Sequence, residues 1–194
     1  MTYGFQRTAT GRIVLRVDTV ERGLLASVSR QVIDLVKPED PPADADPLAA
    51  QIGWVDGELG PSDDPAVARL LPDAYADAED AREFRRFTEH DLRKTKVQHA
   101  TTVLEELERS GEKVVVKSPE SWLGTLNDAR IAIGTRIHIA EDNHEELASL
   151  PEDDPRAGLF HVYDWLTFLQ ESLVRCLDPG LYGFSEEDIP VIDD

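Results

Sequence analysis

Three segments of this chain carry many acids but no lysine or arginine, which limits the parts that can form a folded core. Residues 38–63 carry seven acids, five prolines and no lysine or arginine, and residues 140–154 carry seven acids and again no lysine or arginine. Residues 179–194 form an acidic tail without a base. Such segments bury too little apolar surface to offset the entropy cost of ordering, so we expect mobile loops and a mobile tail. Within the first loop, Asp46, Pro47 and Gly53 have the spacing of one short helix.

The charge of the chain excludes several classes of function. It has 39 acids against 20 lysines and arginines over 194 residues, a net charge of −19. A surface this negative is repelled by the phosphate backbone, so we expect DNA to be contacted only indirectly. We expect no membrane association, because the apolar runs are a few residues long, and the N-terminal residues lack a signal-peptide pattern. These features predict a cytoplasmic protein.

The remaining segments predict a mainly α fold: a multi-helix bundle with a small antiparallel β-sheet. Residues 3–17 have the pattern of a β-hairpin that turns at Gly11. The apolar run at 113–117 is too short to stand alone and is predicted to pair with the hairpin as one later strand. We therefore expect a single helical domain over residues 1–178, interrupted by the acidic, proline-rich loop at 38–63.

Helix boundaries and apolar stripes are also predicted. Asp18, with Glu21 three residues later, has the spacing of a capping box. A helical stretch from 77 to 110 is expected to break at 88–91 and to stop at Gly111. A further short helix is predicted from Asp64-Pro65 through Leu71.

Each of the four longer helices has an apolar stripe that we predict to be buried. The stripes are Leu25, Val28, Val32 and Leu35 in the first helix; Val97, Ala100, Leu104 and Leu107 before Gly111; Trp122, Leu126, Ala129, Ile133 and Ile137 after Ser118-Pro119; and Val162, Leu166, Leu169, Leu173 and Cys176 after Asp154-Pro155.

Cys176 is the one cysteine in the chain, and two interpretations of it stay open. Its place on a 4-3 apolar stripe favours a small buried side chain at a helix seam. The alternative is a redox site, with Arg175 lowering the pKa of the thiol. A single cysteine cannot form an intrachain disulfide, so a redox role would require sulfenylation, a mixed disulfide or a crosslinked homodimer.

A basic cluster contrasts with the acidic remainder of the chain. Six of the 20 bases lie within residues 82–96, interleaved with acids. Pairing at i,i+3 and i,i+4 spacing would make this a solvated helix face, whereas a protein-docking face is the alternative. The candidate partner-binding residues are Arg85, Arg86, Arg93, Lys94 and Lys96.

Polar residues interrupt the apolar helix that follows Ser118-Pro119, and they could form a buried hydrogen-bond network. The candidates are Asn127, Asp128, Arg130 and Arg136. The five histidines lack metal-ligand spacing on a helix, and no phosphate-binding loop, dinucleotide fingerprint or nucleophile elbow is present. The sequence therefore predicts no cofactor, no metal and no catalytic residue.

Four stretches resemble the AosR-like family, an actinobacterial family long known only as a domain of unknown function. They are Asp64-Pro65-Ala66-Val67-Ala68-Arg69-Leu70-Leu71-Pro72-Asp73-Ala74-Tyr75, Glu83-Phe84-Arg85-Arg86-Phe87-Thr88-Glu89 with Asp91-Leu92-Arg93, Leu126-Asn127-Asp128-Ala129-Arg130-Ile131-Ala132-Ile133-Gly134, and Val162-Tyr163-Asp164-Trp165-Leu166-Thr167-Phe168-Leu169-Gln170-Glu171. The resemblance implies an oxidative-stress regulator of transcription that works with a sigma factor. It also implies a gene neighbourhood that includes the ClpS adaptor and cysteine synthesis.

Together, charge and resemblance predict a regulator that contacts a sigma factor or RNA polymerase rather than binding DNA autonomously. An adaptor or accessory protein for Clp proteolysis is the alternative, and an uncharacterised enzyme is a third. A homodimer is compatible with each of them.

Overall fold

Helices form most of the structure, and the mainly α fold class predicted from the sequence is confirmed. The computed structural model describes residues 4–38, 62–109, 111, 113–178 and 191–192. Its elements in chain order are β1 (Phe5–Thr8), β2 (Ile13–Arg16), α1 (Thr19–Val36), α2 (Pro65–Leu70), α3 (Ala78–Arg109), β3 (Lys113–Val116), α4 (Pro119–Arg136), α5 (His144–Ala148), α6 (Pro155–Leu177) and β4 (Val191–Ile192). The short helix predicted around Pro47 lies outside the described residues.

The sheet contains the predicted antiparallel strands and one more. Its strand order is β3-β2-β1-β4, and β2 pairs antiparallel with both β1 and β3. The hairpin turns through Gly11, whose φ of 81° lies in the left-handed region that glycine adopts without strain. β4 pairs in parallel with β1, with Arg7 opposite Val191. This strand was not predicted, so part of the acidic tail is joined to the sheet.

Local caps start the helices where the sequence predicted them. The Asp18 carboxylate accepts hydrogen bonds from the backbone N–H groups of Val20 and Glu21 at 2.8 and 2.9 Å, while the Glu21 carboxylate accepts one from the Asp18 N–H at 3.0 Å. This is the predicted capping box. α2 and α6 begin in the same way, with Asp64 and Asp154 as N-caps and a proline at the first helical position.

α4 is the central element of the core, because it packs against α1, α2, α3 and α6. Its Trp122 side chain is fully buried and meets the ring of Phe5 edge-on at 5.3 Å, which joins the helices to β1. The indole N–H donates to the Glu106 carboxylate of α3 at 2.8 Å. The backbone N–H of Lys117 donates to the same carboxylate at 3.2 Å, so Glu106 links α3, the end of β3 and α4.

The predicted break at 88–91 is wrong, because α3 runs without interruption from Ala78 to Arg109. Thr88 does not act as a cap: its hydroxyl donates to the Phe84 carbonyl one turn earlier at 3.0 Å. Glu89 binds Arg85 and Arg93 on the adjacent turns, and this ladder joins the two halves of the helix.

The acidic segment at 140–154 is not entirely a loop, since it contains α5. Leu147 of this helix is buried against Ile137 and Phe160 and fixes the segment to α6.

Several positions predicted to be core are only half-buried at the edge of the bundle: Leu35, Val97, Leu104, Ile133 and Val162. Each described helix is too short or too polar to cross a membrane.

Candidate docking site

The N-terminal half of α3, residues 78–95, is packed against the rest of the molecule along one narrow stripe. Only Ala81 and Arg85 are buried there. The Arg85 guanidinium binds Asp73 at 2.7 Å, Glu89 at 2.5 Å and the Leu71 carbonyl at 3.2 Å. Burial acts to lower the pKa of Arg85, but its hydrogen bonds to Asp73 and Glu89 outweigh this effect and raise it. Arg85 therefore holds the 71–73 segment against α3.

The other bases predicted to bind a partner are mostly engaged within the molecule. Arg93 pairs with Glu89 at 2.7 Å, and Lys96 pairs with Asp128 of α4 at 2.6 Å. Arg86 is half-buried, and Lys94 is exposed. Arg93 also donates to the Val36 carbonyl of α1 at 3.4 Å. The structure thus places Arg85, Arg93 and Lys96 in contacts between elements rather than on an open positive surface.

The polar residues of α4 do not converge on one network. Asp128 is buried, and burial raises its pKa although Lys96 and His99 act in the opposite direction. Arg130 turns toward α6, where it donates to Thr167 at 2.9 Å and Gln170 at 3.0 Å. Of the remaining two, Asn127 is exposed beside Asp128, and Arg136 lies 3.6 Å from Asp64. Asp128, Arg130 and Arg136 therefore join α4 to three different neighbours.

Cys176 lies in the core at 1% exposure, and burial raises the pKa of its thiol to about 11. The nearby charges of Arg7 and Arg175 act to lower the pKa but do not overcome burial. At neutral pH the thiol is protonated, and a protonated, enclosed thiol is a poor nucleophile. Among the described residues, no group of three or more His, Cys, Asp or Glu side chains is placed to hold a metal ion.

Sequence reasoning missed an aromatic surface on the N-terminal half of α3. Phe84 and Phe87 are 42% and 63% exposed, and Tyr75, in the segment that leads into the helix, is 51% exposed. Tyr75 and Phe84 meet edge-on with ring centroids 5.5 Å apart. We call Tyr75, Phe84 and Phe87 the aromatic face. The signal in the sequence is two phenylalanines three residues apart within a run of charged residues.

A shallow groove of about 220 Å³ adjoins the aromatic face, between the 71–74 segment and α3. Leu71, Pro72 and Leu92 give it an apolar lining, and Phe84 forms part of its wall. Leu92 is itself 40% exposed. Exposed aromatic side chains beside an apolar groove are typical of protein–protein contact surfaces.

The chain belongs to the family described as Domain of unknown function (DUF2017), whose model matches residues 2–177. The resemblance seen in the sequence is thereby confirmed. The chain is 30% identical to the oxidative stress regulator AosR of Mycobacterium bovis over 173 residues, which cover 81% of this chain and 78% of that protein. The same values hold for AosR of Mycobacterium tuberculosis, and the putative oxidative stress regulator AosR of Mycobacterium leprae is 28% identical over the same shares. No solved structure matches the chain.

Proposed function

We propose that this protein regulates transcription in the oxidative-stress response, in the cysteine-synthesis context that the family resemblance implies, through contact with a sigma factor or RNA polymerase. The relatives named as oxidative stress regulators support the regulatory role. The aromatic face carries the proposal of protein contact. In this face Phe84 and Phe87 are 42% and 63% exposed, on a half-helix whose only buried residues are Ala81 and Arg85.

Charge supports contact with protein rather than DNA. A site on DNA commonly neutralises on the order of 6–10 phosphates. Three of the bases within residues 82–96 are already paired with acids, namely Arg85, Arg93 and Lys96. The net charge of −19 opposes any approach to a duplex. The same charge attracts a basic protein surface and would accelerate its association.

The test is a binding measurement with purified components at about physiological salt. The immobilised protein is exposed in turn to the sigma factors of its source organism, to core RNA polymerase, to Clp subunits and to promoter DNA. We expect a sigma factor or polymerase to bind and DNA alone not to bind. Micromolar or tighter binding to DNA that survives competitor DNA would contradict the proposal. Binding to Clp subunits alone would favour the proteolysis adaptor instead.

Two variants link the measurement to the surface. Phe87→Ala removes the most exposed ring of the aromatic face and should weaken the complex. Val20→Ala is the matched control, because Val20 is 78% exposed on the first turn of α1, outside this surface. An equal loss of binding in both variants would show that the contact lies elsewhere.

A further inference from the structure

The aromatic face is bordered by acids rather than by the bases of the same helix segment. Residues three and four apart are neighbours on a helix surface, so Asp80 lies beside Phe84, and both Glu83 and Asp91 lie beside Phe87. All three acids are exposed. Within the described part of the chain, no salt bridge joins any of them to a base, in contrast to Glu89, which lies between Arg85 and Arg93.

This arrangement gives the surface a definite chemistry. Its centre is apolar, formed by Phe84, Phe87 and Tyr75 together with the adjoining groove. Its border is negative on both helical turns that flank the rings. A ligand that matches it carries an apolar stripe with lysine or arginine on either side, because such a ligand buries the rings and neutralises the acids at once.

We infer that the aromatic face binds a basic amphipathic helix of a partner protein, with an apolar side chain of that helix seated in the groove beside Phe84. This inference rests on the proposed function, since it names the kind of partner segment that the regulatory contact would use. Helices that dock through apolar side chains one turn apart are a common mode of peptide recognition. The acids at 80, 83 and 91 select the basic form of such a helix.

The experiment uses the full chain and designed helical peptides of about 18 residues. One peptide has a leucine stripe flanked by lysines, and the second has the lysines replaced by glutamates. The third contains the same residues as the first in an order that forms no leucine stripe. We expect measurable affinity for the first peptide alone at about 150 mM salt. Phe87→Ala should weaken that binding about tenfold, as for a central aromatic contact.

A charge-matched pair of triple variants separates local recognition from general attraction to an acidic protein. Asp80→Asn, Glu83→Gln and Asp91→Asn together remove the negative border. Glu120→Gln, Glu141→Gln and Asp142→Asn together remove the same charge from exposed positions outside the surface. We expect the first triple variant to lose affinity for the lysine–leucine peptide by about tenfold, and the control triple variant to stay within about twofold.

Several results would overturn the inference. They are equal binding by Phe87→Ala and the unchanged protein, an equal loss in both triple variants, tight binding of the peptide without a stripe, and a self-association that Phe87→Ala abolishes. The two proposals fail separately. If Phe87→Ala still binds a sigma factor or RNA polymerase as tightly as the unchanged protein, the regulatory proposal is supported, but the aromatic face is not the binding site. If the peptide binds through its leucine stripe but neither a sigma factor nor RNA polymerase binds, the aromatic face remains a binding site and the proposed partner is wrong.

Discussion

At the scale of single residues, Cys176 shows how burial determines the protonation and reactivity of a thiol. Its thiol lies in the α6 seam beside Leu169 and Leu173 in the main core. We predict that Cys176→Ser lowers the free energy of unfolding by about 1–3 kcal/mol, because a polar hydroxyl replaces an apolar side chain in the buried seam. Urea denaturation of the two proteins in reducing buffer measures this cost, and Cys176→Ala, which adds no polar group, is the comparison.

The thiol titration of Cys176 gives a second readout of the same burial. The unfolded thiol has a pKa of about 8.5, whereas burial raises the folded value to about 11. Because the folded pKa is the higher one, the contribution of this thiol to stability is present below pH 8.5 and is lost as the pH rises through 11. A thiol reagent should therefore label the native protein far more slowly than the unfolded protein at pH 8. Equal rates would restore a redox role.

The Lys96–Asp128 pair is the residue-scale contact whose loss we expect to cost most. We predict that Lys96→Met destabilises the protein by about 3 kcal/mol at pH 7, because it leaves the buried Asp128 carboxylate without its ammonium partner. Lys94→Met, two residues earlier and exposed, should change stability by no more than about 0.5 kcal/mol.

The cost of Lys96→Met should decrease as the pH falls. Burial already raises the pKa of Asp128, and Lys96 is the main group that lowers it again. Without Lys96, the carboxyl takes up a proton more readily, so the penalty of a buried charge is removed at lower pH. Denaturation of both variants at pH 7 and pH 5 measures the difference. A penalty that stays constant or grows toward pH 5 would show that packing, rather than charge, explains the loss.

At the scale of elements, the continuity of α3 has a direct test. A proline within a helix removes one hydrogen bond, clashes with the preceding turn and costs about 3 kcal/mol or more. We predict that His90→Pro carries this cost and loses helical circular dichroism, whereas His90→Ala keeps the stability of the unchanged protein. A helix start at 88–91 would instead tolerate proline near its first turn, so a small effect of His90→Pro would restore the break.

Elements were predictable from sequence where the deciding contacts are local. The Asp18–Glu21 capping box lies within four residues, and the Asp64 and Asp154 caps within three. The break predicted at 88–91 was wrong because two signals compete there. Thr88 has the chemistry of a cap, but the ion pairs of Glu89 on both sides favour continuation.

Contacts between residues far apart in the chain could not be predicted in the same way. β4 joins β1 after more than 180 residues, and a two-residue strand has no periodicity to detect. Glu106 looks like any other acid of a charged helix until Trp122 approaches it. The basic cluster was visible, but only the structure shows that Asp73 and Asp128 pair with two of its members. Composition thus drew attention to the helix segment at 82–96, whereas the aromatic face and the pairing of the segment's bases are visible only in the structure.

At the scale of the whole molecule, the charge of −19 acts against the compact state. Like charges brought together on folding repel one another. This repulsion is screened when salt shortens the Debye length from about 30 Å at 0.01 M to about 10 Å at 0.1 M. We therefore predict that the thermal midpoint rises as sodium chloride increases over this range. A stabilisation of about 1 kcal/mol corresponds to about 2–4 °C for a chain of this size.

A variant with fewer acids makes this prediction specific to charge. The variant that combines Glu120→Gln, Glu141→Gln and Asp142→Asn carries three fewer negative charges, so its midpoint should start higher at low salt and rise less. Sodium sulfate should be avoided, because it stabilises folded proteins through exclusion from their surface. A midpoint that falls with sodium chloride would mean that the internal pairs, such as Arg85 with Asp73 and Glu89, lose more from screening than the acidic surface gains. The sign of the salt response therefore shows which of the two sets of charges dominates the stability of the fold.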